Sequence, residues 1–148
     1  MTEKDEATRV YSKMLNKIQQ SIGRQQTTSD TLLSFGSRLF GDAFLGVFAV
    51  NDHLPAIRSE TSLIMNLDER GEPGSHWIAL FWRESGRPAL LYDSFGRNLN
   101  LSKTEEKLKF TRTDDDPEQR VEENNCGQRC LAFLYVAHKL GWAAAESI

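Results

Sequence analysis

The sequence predicts an α+β fold in which a small central mixed β-sheet is flanked by helices. Three observations support this: an amphipathic helical period near the N-terminus, short apolar segments bounded by turn residues in the middle, and an apolar helical run near the C-terminus. With 148 residues, of which 39% are hydrophobic, the chain is the size of one globular domain with its own core.

The N-terminal part predicts two helices. Residues 3–22 place apolar side chains at four-residue steps from Val10 to Ile18, which is the period of an amphipathic helix. A polar segment follows, and Ser29 or Asp30 is expected to cap a second helix. This second helix should be packed by its leucine and phenylalanine side chains.

Four apolar segments in the middle of the chain predict strands. They are FLGVFAV, SLIMNL, HWIALFWR and PALLYDSF. The ESGR turn joins the last two as a hairpin. In an antiparallel hairpin the start of one strand lies beside the end of the next, so His76 and Asp93 are expected to be neighbours.

The segment CGQRCLAFLYVAHKLG predicts a buried helix. Asn125 is expected to cap its start, Lys139 lies in its last turn, and Gly141 can end it. The segment NLNLSKTEEKLKF stays ambiguous, and TRTDDDPEQRVEE is expected to be an acidic loop.

Composition excludes several function classes. The formal net charge is −3, which lacks the basic footprint of a protein whose main partner is duplex nucleic acid. No apolar stretch reaches the length of a membrane span, and the charged N-terminus does not resemble a signal peptide. Two cysteines do not make a disulfide scaffold. These observations favour a reduced, intracellular protein that is not secreted.

Cys126 is the first candidate for chemistry, because it lies at the predicted start of a helix. The positive end of the helix dipole and the unpaired N–H groups there favour the thiolate, which is the nucleophilic form. Gly127 should let a substrate backbone approach the sulfur. Cys130, one turn further along, is expected to be a core residue.

A nucleophilic cysteine needs a base and a group that orients the base. His138 lies twelve residues along the same predicted helix, roughly 18 Å from Cys126, which also excludes a zinc site built from this histidine and both cysteines. His53 lies in a polar turn and is expected at the surface. The best candidate base is His76, oriented by Asp93, and no metal or cofactor is predicted.

Acyl transfer also needs donors for an oxyanion. The backbone N–H of Cys126 is one candidate, and the side-chain amide of Gln119, in the preceding loop, is another. Gln128 is an alternative, but its position in the helix is expected to turn it elsewhere.

The order His-Trp, Asp-Ser-Phe-Gly, Gln and Cys-Gly resembles the adenovirus maturation protease family, which belongs with the Ulp/SENP-type cysteine proteases. Asp93 follows His76 by 17 positions and Gln119 precedes Cys126 by 7, as in the adenoviral proteins. The segments CGQRC and FLGVF also resemble family motifs, and the resemblance covers about residues 40–141. The acid is Asp, as in the Ulp group, where the adenoviral proteins have Glu.

The resemblance implies a papain-like or Ulp-like arrangement with the catalytic cysteine at a helix N-terminus. It implies one protease domain over residues 1–148, with an N-terminal helical extension at 1–30 and a catalytic core at 40–141. His76 would then be the general base, Asp93 its orienting acid and Cys126 the nucleophile. Gln119 would help to form the oxyanion hole.

The resemblance also implies a narrow channel for the substrate. Trp77 would shape the groove beside the histidine, and Gly74, in GEPGSHW, would line the channel. Asp52, next to Asn51, is expected to meet the extended substrate, and Asn125 is a further candidate for substrate binding.

The expected function is that of a viral endopeptidase that cleaves capsid or core precursor proteins after Gly. It would act in the host cytoplasm or nucleus and be packaged in the virion. An alternative is a Ulp-like isopeptidase that removes ubiquitin or a related modifier; acetyl transfer and a non-catalytic binding module rank lower. The partner is a protein substrate, with no membrane. An activating peptide or nucleic acid is conceivable, although the acidic net charge does not favour nucleic acid.

Overall fold

The computed structural model describes residues 2–67, 76–95, 109–113 and 124–148. Gly74 and Gln119, which the sequence places in the substrate channel and the oxyanion hole, lie outside these ranges. None of the described helices is long and apolar enough to cross a membrane. In chain order the described elements are α1 (Glu3–Ile22), α2 (Ser29–Phe40), a 3-10 turn (Gly41–Ala43), β1 (Phe44–Ala49), β2 (Thr61–Asn66), β3 (Trp77–Trp82), β4 (Ala89–Tyr92), β5 (Phe110–Arg112), α3 (Cys126–Leu140) and α4 (Trp142–Glu146).

The strands form one mixed sheet in the order β1-β2-β3-β4-β5. The two outer pairs, β1 with β2 and β4 with β5, are parallel, whereas the central strand β3 is antiparallel to both β2 and β4. The predicted α+β class, the mixed sheet and the hairpin of β3 and β4 are therefore confirmed. The sequence did not predict β5, a strand of three residues without a buried position, or the five-residue α4.

Both N-terminal helices have a threonine as their N-cap residue. Thr2 and Asp5 form a reciprocal capping box at the start of α1, whose bounds match the predicted residues 3–22. The hydroxyl of Thr28 accepts a hydrogen bond from the backbone N–H of Thr31 at 3.2 Å. The cap of α2 is therefore Thr28, one residue before the predicted Ser29 or Asp30, which are already helical.

The described helices pack on one face of the sheet, so the predicted flanking by helices is seen on that face alone within the described residues. In this layer α3 lies across β3 and β4, and the ring of Phe133 stacks on Tyr92 at 4.6 Å between centroids. Each large apolar side chain buried there stabilises the fold by about 1.5–3 kcal/mol. The opposite face of the sheet packs against the segment after β1, through Val50 and Leu54.

Ten of the fifteen residues of α3 are buried, as its apolar sequence predicts. Gly141 ends α3 with φ at 95°, a conformation that favours glycine, and its N–H donates to the carbonyl of Ala137 at 3.0 Å. This confirms the predicted end of the helix. The packing of α3 against β3 and β4 brings its first residue to the ends of both strands.

Candidate active site

His76 lies immediately before β3 and Asp93 immediately after β4. Ala79 pairs with Tyr92 in the antiparallel register, so the chain entering β3 lies beside the chain leaving β4. The Nε2 atom of His76 and the Oδ1 atom of Asp93 are 2.6 Å apart, and both side chains are buried. The predicted proximity of the two residues is present in the structure.

Phe95 completes this pair. Its backbone N–H donates to the Oδ1 atom of Asp93 at 3.1 Å, so the carboxylate accepts from two directions. Its ring lies against the imidazole of His76, with 5.0 Å between ring centroids. Phe95 therefore holds the carboxylate of Asp93 and covers the imidazole of His76. The sequence alone did not predict this role.

Cys126 is the first residue of α3 and is only 5% exposed. Its Sγ atom accepts a hydrogen bond from the backbone N–H of Trp77 at 3.4 Å. Because Trp77 directly follows His76, this bond brings the sulfur to the base. As the first helical residue, Cys126 also has a backbone N–H with no intrahelical partner, which suits an oxyanion donor.

The charges around His76 favour its protonated form. Burial by itself lowers the pKa of His76, but the hydrogen bond and charge of Asp93, together with the nearby Cys126 side chain, raise it more. The net result is a pKa above the ordinary value of 6.5. The Nδ1 atom has no hydrogen-bond partner among the described residues, so the thiol is near this ring without a well-directed hydrogen bond to it. Nδ1 is the ring nitrogen left for proton exchange.

Cys130 lies one turn further along α3 and is fully buried. Burial first, and the charges of Cys126 and Asp93 second, raise the pKa of the Cys130 thiol well above its ordinary value. A thiol that stays protonated and inaccessible is inert. The prediction that Cys130 is a core residue is confirmed.

Gly127 has a different role from the predicted one. A Cβ atom at this position would lie 2.9 Å from Thr27 Cγ2 and 3.1 Å from Leu32. The missing side chain therefore allows α3 to pack against the residues before and within α2. The structure thus gives internal packing, rather than close approach of a substrate, as the reason for this glycine.

Asn125 precedes α3, but its side chain does not cap the helix. Its Nδ2 atom donates to Oε1 of Gln19 at 2.9 Å, and its Oδ1 atom accepts from Nε of Arg129 at 3.1 Å. The expected side-chain cap is therefore wrong, because these two partners hold the amide. Asn125 is 3% exposed, and its role in substrate binding stays a prediction.

Gln128 is turned away from the thiol. Its Nε2 atom donates to the backbone carbonyls of Gly23 at 2.9 Å and Gln25 at 2.8 Å, which ties the segment between α1 and α2 to α3. This confirms the expectation that Gln128 points elsewhere. Gln119, the other side-chain candidate for the oxyanion hole, is outside the described residues.

Asp52 and Trp77, two of the residues predicted to bind substrate, are described in the structure by their internal contacts and burial. The carboxylate of Asp52 accepts the backbone N–H of Ala49 at 2.8 Å and closes the turn after β1. The Trp77 side chain is buried, and its Nε1 atom has no partner among the described residues. The roles of Asp52 and Trp77 toward a substrate stay predictions, as does that of Gly74.

The other two histidines lie apart from the thiol, as the sequence predicts. His53 is exposed in the turn after β1. His138 shares a 2.8 Å hydrogen bond with the hydroxyl of Ser62 and packs against the rings of Phe40 and Phe81. Burial lowers the pKa of His138 to about 4, so this histidine is neutral at physiological pH.

No group of three or more His, Cys, Asp or Glu side chains within the described ranges could hold a metal ion. No protein-family model matches the chain, and no curated protein matches it significantly. The geometry of Cys126, His76 and Asp93 is therefore the basis for proposing a function.

Proposed function

We propose that this protein is a cysteine peptidase with Cys126 as nucleophile, His76 as general base and Asp93 as the orienting acid. One observation carries the proposal. The thiol of Cys126, at a helix N-terminus, accepts a hydrogen bond from the backbone N–H that follows His76, and the Nε2 atom of His76 is hydrogen-bonded to the carboxylate of Asp93. This is the nucleophile, base and orienter arrangement of acyl-transfer enzymes.

The first half-reaction forms a thioester. Asp93 accepts a hydrogen bond from the Nε2–H group of His76, which leaves Nδ1 as the site that takes the proton of Cys126. The thiolate attacks the carbonyl carbon of the peptide, and the backbone N–H of Cys126 donates to the resulting oxyanion. The C–N bond then breaks as the imidazolium returns its proton to the leaving amine.

The second half-reaction consumes water. His76 takes a proton from a water molecule that attacks the thioester carbonyl, and the C–S bond breaks to release a carboxylic acid. The proton on His76 then balances the charge of the departing thiolate. The raised pKa of His76 supports this cycle, because it favours the imidazolium that forms when the imidazole takes the proton of Cys126.

The finer assignment concerns the substrate. The motif resemblance supports a maturation protease that cleaves viral capsid or core precursors after Gly. The supporting residues within the described ranges are His76, Trp77, the Asp-Ser-Phe segment from Asp93 to Phe95, and the segments FLGVF and CGQRC. A thiol and base that are both almost fully buried also suit a substrate with small residues next to the scissile bond.

The direct test is hydrolysis of a peptide library with Gly before the scissile bond. Wild type should turn over a subset of these peptides and Cys126→Ala none, since the variant has no nucleophile. Cys130→Ala is the matched control, and should retain turnover within about twofold because this thiol is inert. Equal turnover by wild type and Cys126→Ala would contradict the proposal.

Active-site-directed probes separate two kinds of substrate. A short Gly-terminated vinyl sulfone peptide and a ubiquitin-family vinyl sulfone would each add to Cys126 and shift the protein mass. We expect labelling by the peptide probe. Labelling by the modifier probe alone would assign the enzyme to the isopeptidases instead.

A further inference from the structure

A chain of hydrogen bonds joins α1 to α3. Oε1 of Gln19 accepts from Nδ2 of Asn125 at 2.9 Å, and Oδ1 of Asn125 accepts from Nε of Arg129 at 3.1 Å. Arg129 also donates from Nη1 to the hydroxyl oxygen of Tyr11 at 3.1 Å. Tyr11 and Gln19, on one side of α1, therefore contact Arg129 in the first turn of α3 and Asn125 directly before it.

The same chain continues into the sheet. The hydroxyl groups of Tyr11 and Tyr92 are hydrogen-bonded at 2.6 Å, and their rings meet edge to face. Tyr92 is the last residue of β4 and directly precedes Asp93. Asn125 directly precedes Cys126. The hydrogen-bond chain thus includes the residue before Asp93 and the residue before Cys126.

We propose that α1 is a positioning element, in which Tyr11 and Gln19 fix the separation between the nucleophile on α3 and the histidine–carboxylate pair on the sheet. The inference rests on the proposed function, since it concerns the geometry of the same thiol and imidazole. It gives residues 1–30 a role in the chemistry although they contribute no reacting atom.

The need for such an element follows from the origin of the reacting groups. His76 and Asp93 are held to each other by one hairpin, but Cys126 comes from a separate helix. Covalent catalysis requires reacting atoms to be placed to within a fraction of an ångström, and a misplacement of about 1 Å can cost a hundredfold in rate. A helix that bonds to both elements removes this freedom.

Packing alone does not account for these polar residues. Ala7, Leu15 and Ile18 already attach α1 to the core through buried apolar surface. Tyr11 and Asn125, by contrast, place polar groups in the interior, where each costs free energy unless it is bonded. A guanidinium at the centre of the chain strengthens the hydrogen bonds on both sides of it.

The test uses full-length variants that remove single polar atoms. Tyr11→Phe deletes the hydroxyl that bonds Arg129 and Tyr92 but keeps the ring, and Gln19→Met deletes the amide but keeps the shape. Gln19→Glu retains an acceptor oxygen and should restore function. Gln20→Met, at the exposed neighbouring position of α1, and Tyr135→Phe, whose hydroxyl accepts from Lys139 at the surface, are the matched controls.

The readout is the pH dependence of Cys126 alkylation by iodoacetamide, with the modified cysteine located by mass spectrometry and each variant also tested in peptide hydrolysis. In wild type, Cys126 should be alkylated faster than a free thiol at pH values where His76 can take the thiol proton. In Tyr11→Phe and Gln19→Met this excess reactivity and kcat should fall by about tenfold or more, with KM little changed. Gln19→Glu and both controls should behave as wild type.

Two outcomes would overturn the inference, and they differ. If Tyr11→Phe and Gln19→Met lower the unfolding midpoint but keep the wild-type alkylation profile, α1 is a stabilising helix and nothing more. If Cys126 of wild type reacts no faster than a free thiol, no base acts on the sulfur, and the proposed function fails together with this inference. The alkylation assay thus distinguishes the two without requiring the natural substrate.

Discussion

The two ends of α3 each place a histidine site beside the sheet, and the two sites have opposite electrostatics. At the N-terminal end, His76 faces Asp93 and has a raised pKa. At the C-terminal end, His138 faces Ser62 and has a pKa lowered to about 4. Burial lowers the pKa in both cases, so the difference comes from the partners: Asp93 and the Cys126 side chain together outweigh desolvation at His76, whereas the hydroxyl of Ser62 does not at His138.

The comparison explains why one helix can carry a reactive end and an inert end. The imidazole beside Cys126 can hold a proton because a negative charge lies behind it. The imidazole between Phe40 and Phe81 serves as a neutral hydrogen-bonding group inside an aromatic cluster. Burial of a histidine is therefore not by itself a sign of function, whereas burial together with a carboxylate is.

The largest expected effect follows from removing the charge of Asp93, because this carboxylate distinguishes the site of His76 from that of His138. Asp93→Asn removes the charge but keeps the shape, so burial should lower the pKa of His76 below its ordinary value, toward the behaviour of His138. Peptide hydrolysis should fall by about 10²–10⁴-fold, because the base loses its orienting charge. Proton NMR of the imidazole signals would measure the pKa, and kinetics the rate.

Asp30→Asn, in the exposed first turn of α2, is the matched control for this variant. It should leave both the titration of His76 and turnover unchanged. Near-normal hydrolysis in Asp93→Asn, with a folded protein, would exclude Asp93 from the catalytic group.

The next effect tests the inert end. Ser62→Ala leaves the Nε2 atom of the partly buried His138 without its observed partner, which should lower the free energy of unfolding by about 0.5–1.5 kcal/mol. Turnover and Cys126 alkylation should stay at the wild-type level, because the change lies at the far end of α3. Urea denaturation and the alkylation assay check the two halves of this prediction. A loss of thiol reactivity in a folded Ser62→Ala protein would show that the two ends are coupled.

The smallest expected effect concerns stability against pH. The folded-state pKa of His138 is about 4 and its ordinary value is 6.5, so the unfolded chain takes up the proton first as the pH falls. The contribution of His138 to stability is therefore present above about pH 6.5 and is lost as the pH falls toward 4. His76 has the opposite sign: its raised pKa contributes stability below its ordinary value, and this is lost as the pH rises through the folded-state pKa.

His138→Gln should accordingly show a weaker loss of stability across that acidic range than wild type, measured as urea midpoints at several pH values. His53→Gln, at an exposed position, is the matched control and should follow the wild-type curve. If the urea midpoints of wild type and His138→Gln change with pH in the same way, the assignment of His138 as a partly buried neutral residue is wrong.

Sequence reasoning succeeded where the signal is local. The period from Val10 to Ile18 predicts α1 to the residue, and a tight hairpin is enough to bring His76 to Asp93. It failed where contacts join distant positions. Gln19 and Asn125 are separated by 106 positions, and Ser62 and His138 by 76, and no periodicity or turn signal relates them.

Smaller errors have local causes. Three possible caps follow one another from Thr28 to Asp30, and the choice among them depends on the backbone conformation that α2 adopts. The strand β5 is too short for alternation to be visible. Gly127 could be recognised as a position that requires glycine, but whether a substrate or Leu32 fills the space depends on the tertiary packing.

The hydrogen-bond chain from α1 has a consequence for how the protein is made. Tyr11 bonds Tyr92 and Arg129, which lie 81 and 118 positions further along the chain, so these bonds close large loops. On the ribosome, α1 and the hairpin with His76 and Asp93 emerge before the helix that begins at Cys126. A partly synthesised chain can hold its base and acid but has no nucleophile. Under the proposed function, the catalytic group is therefore complete only after α3 has been synthesised.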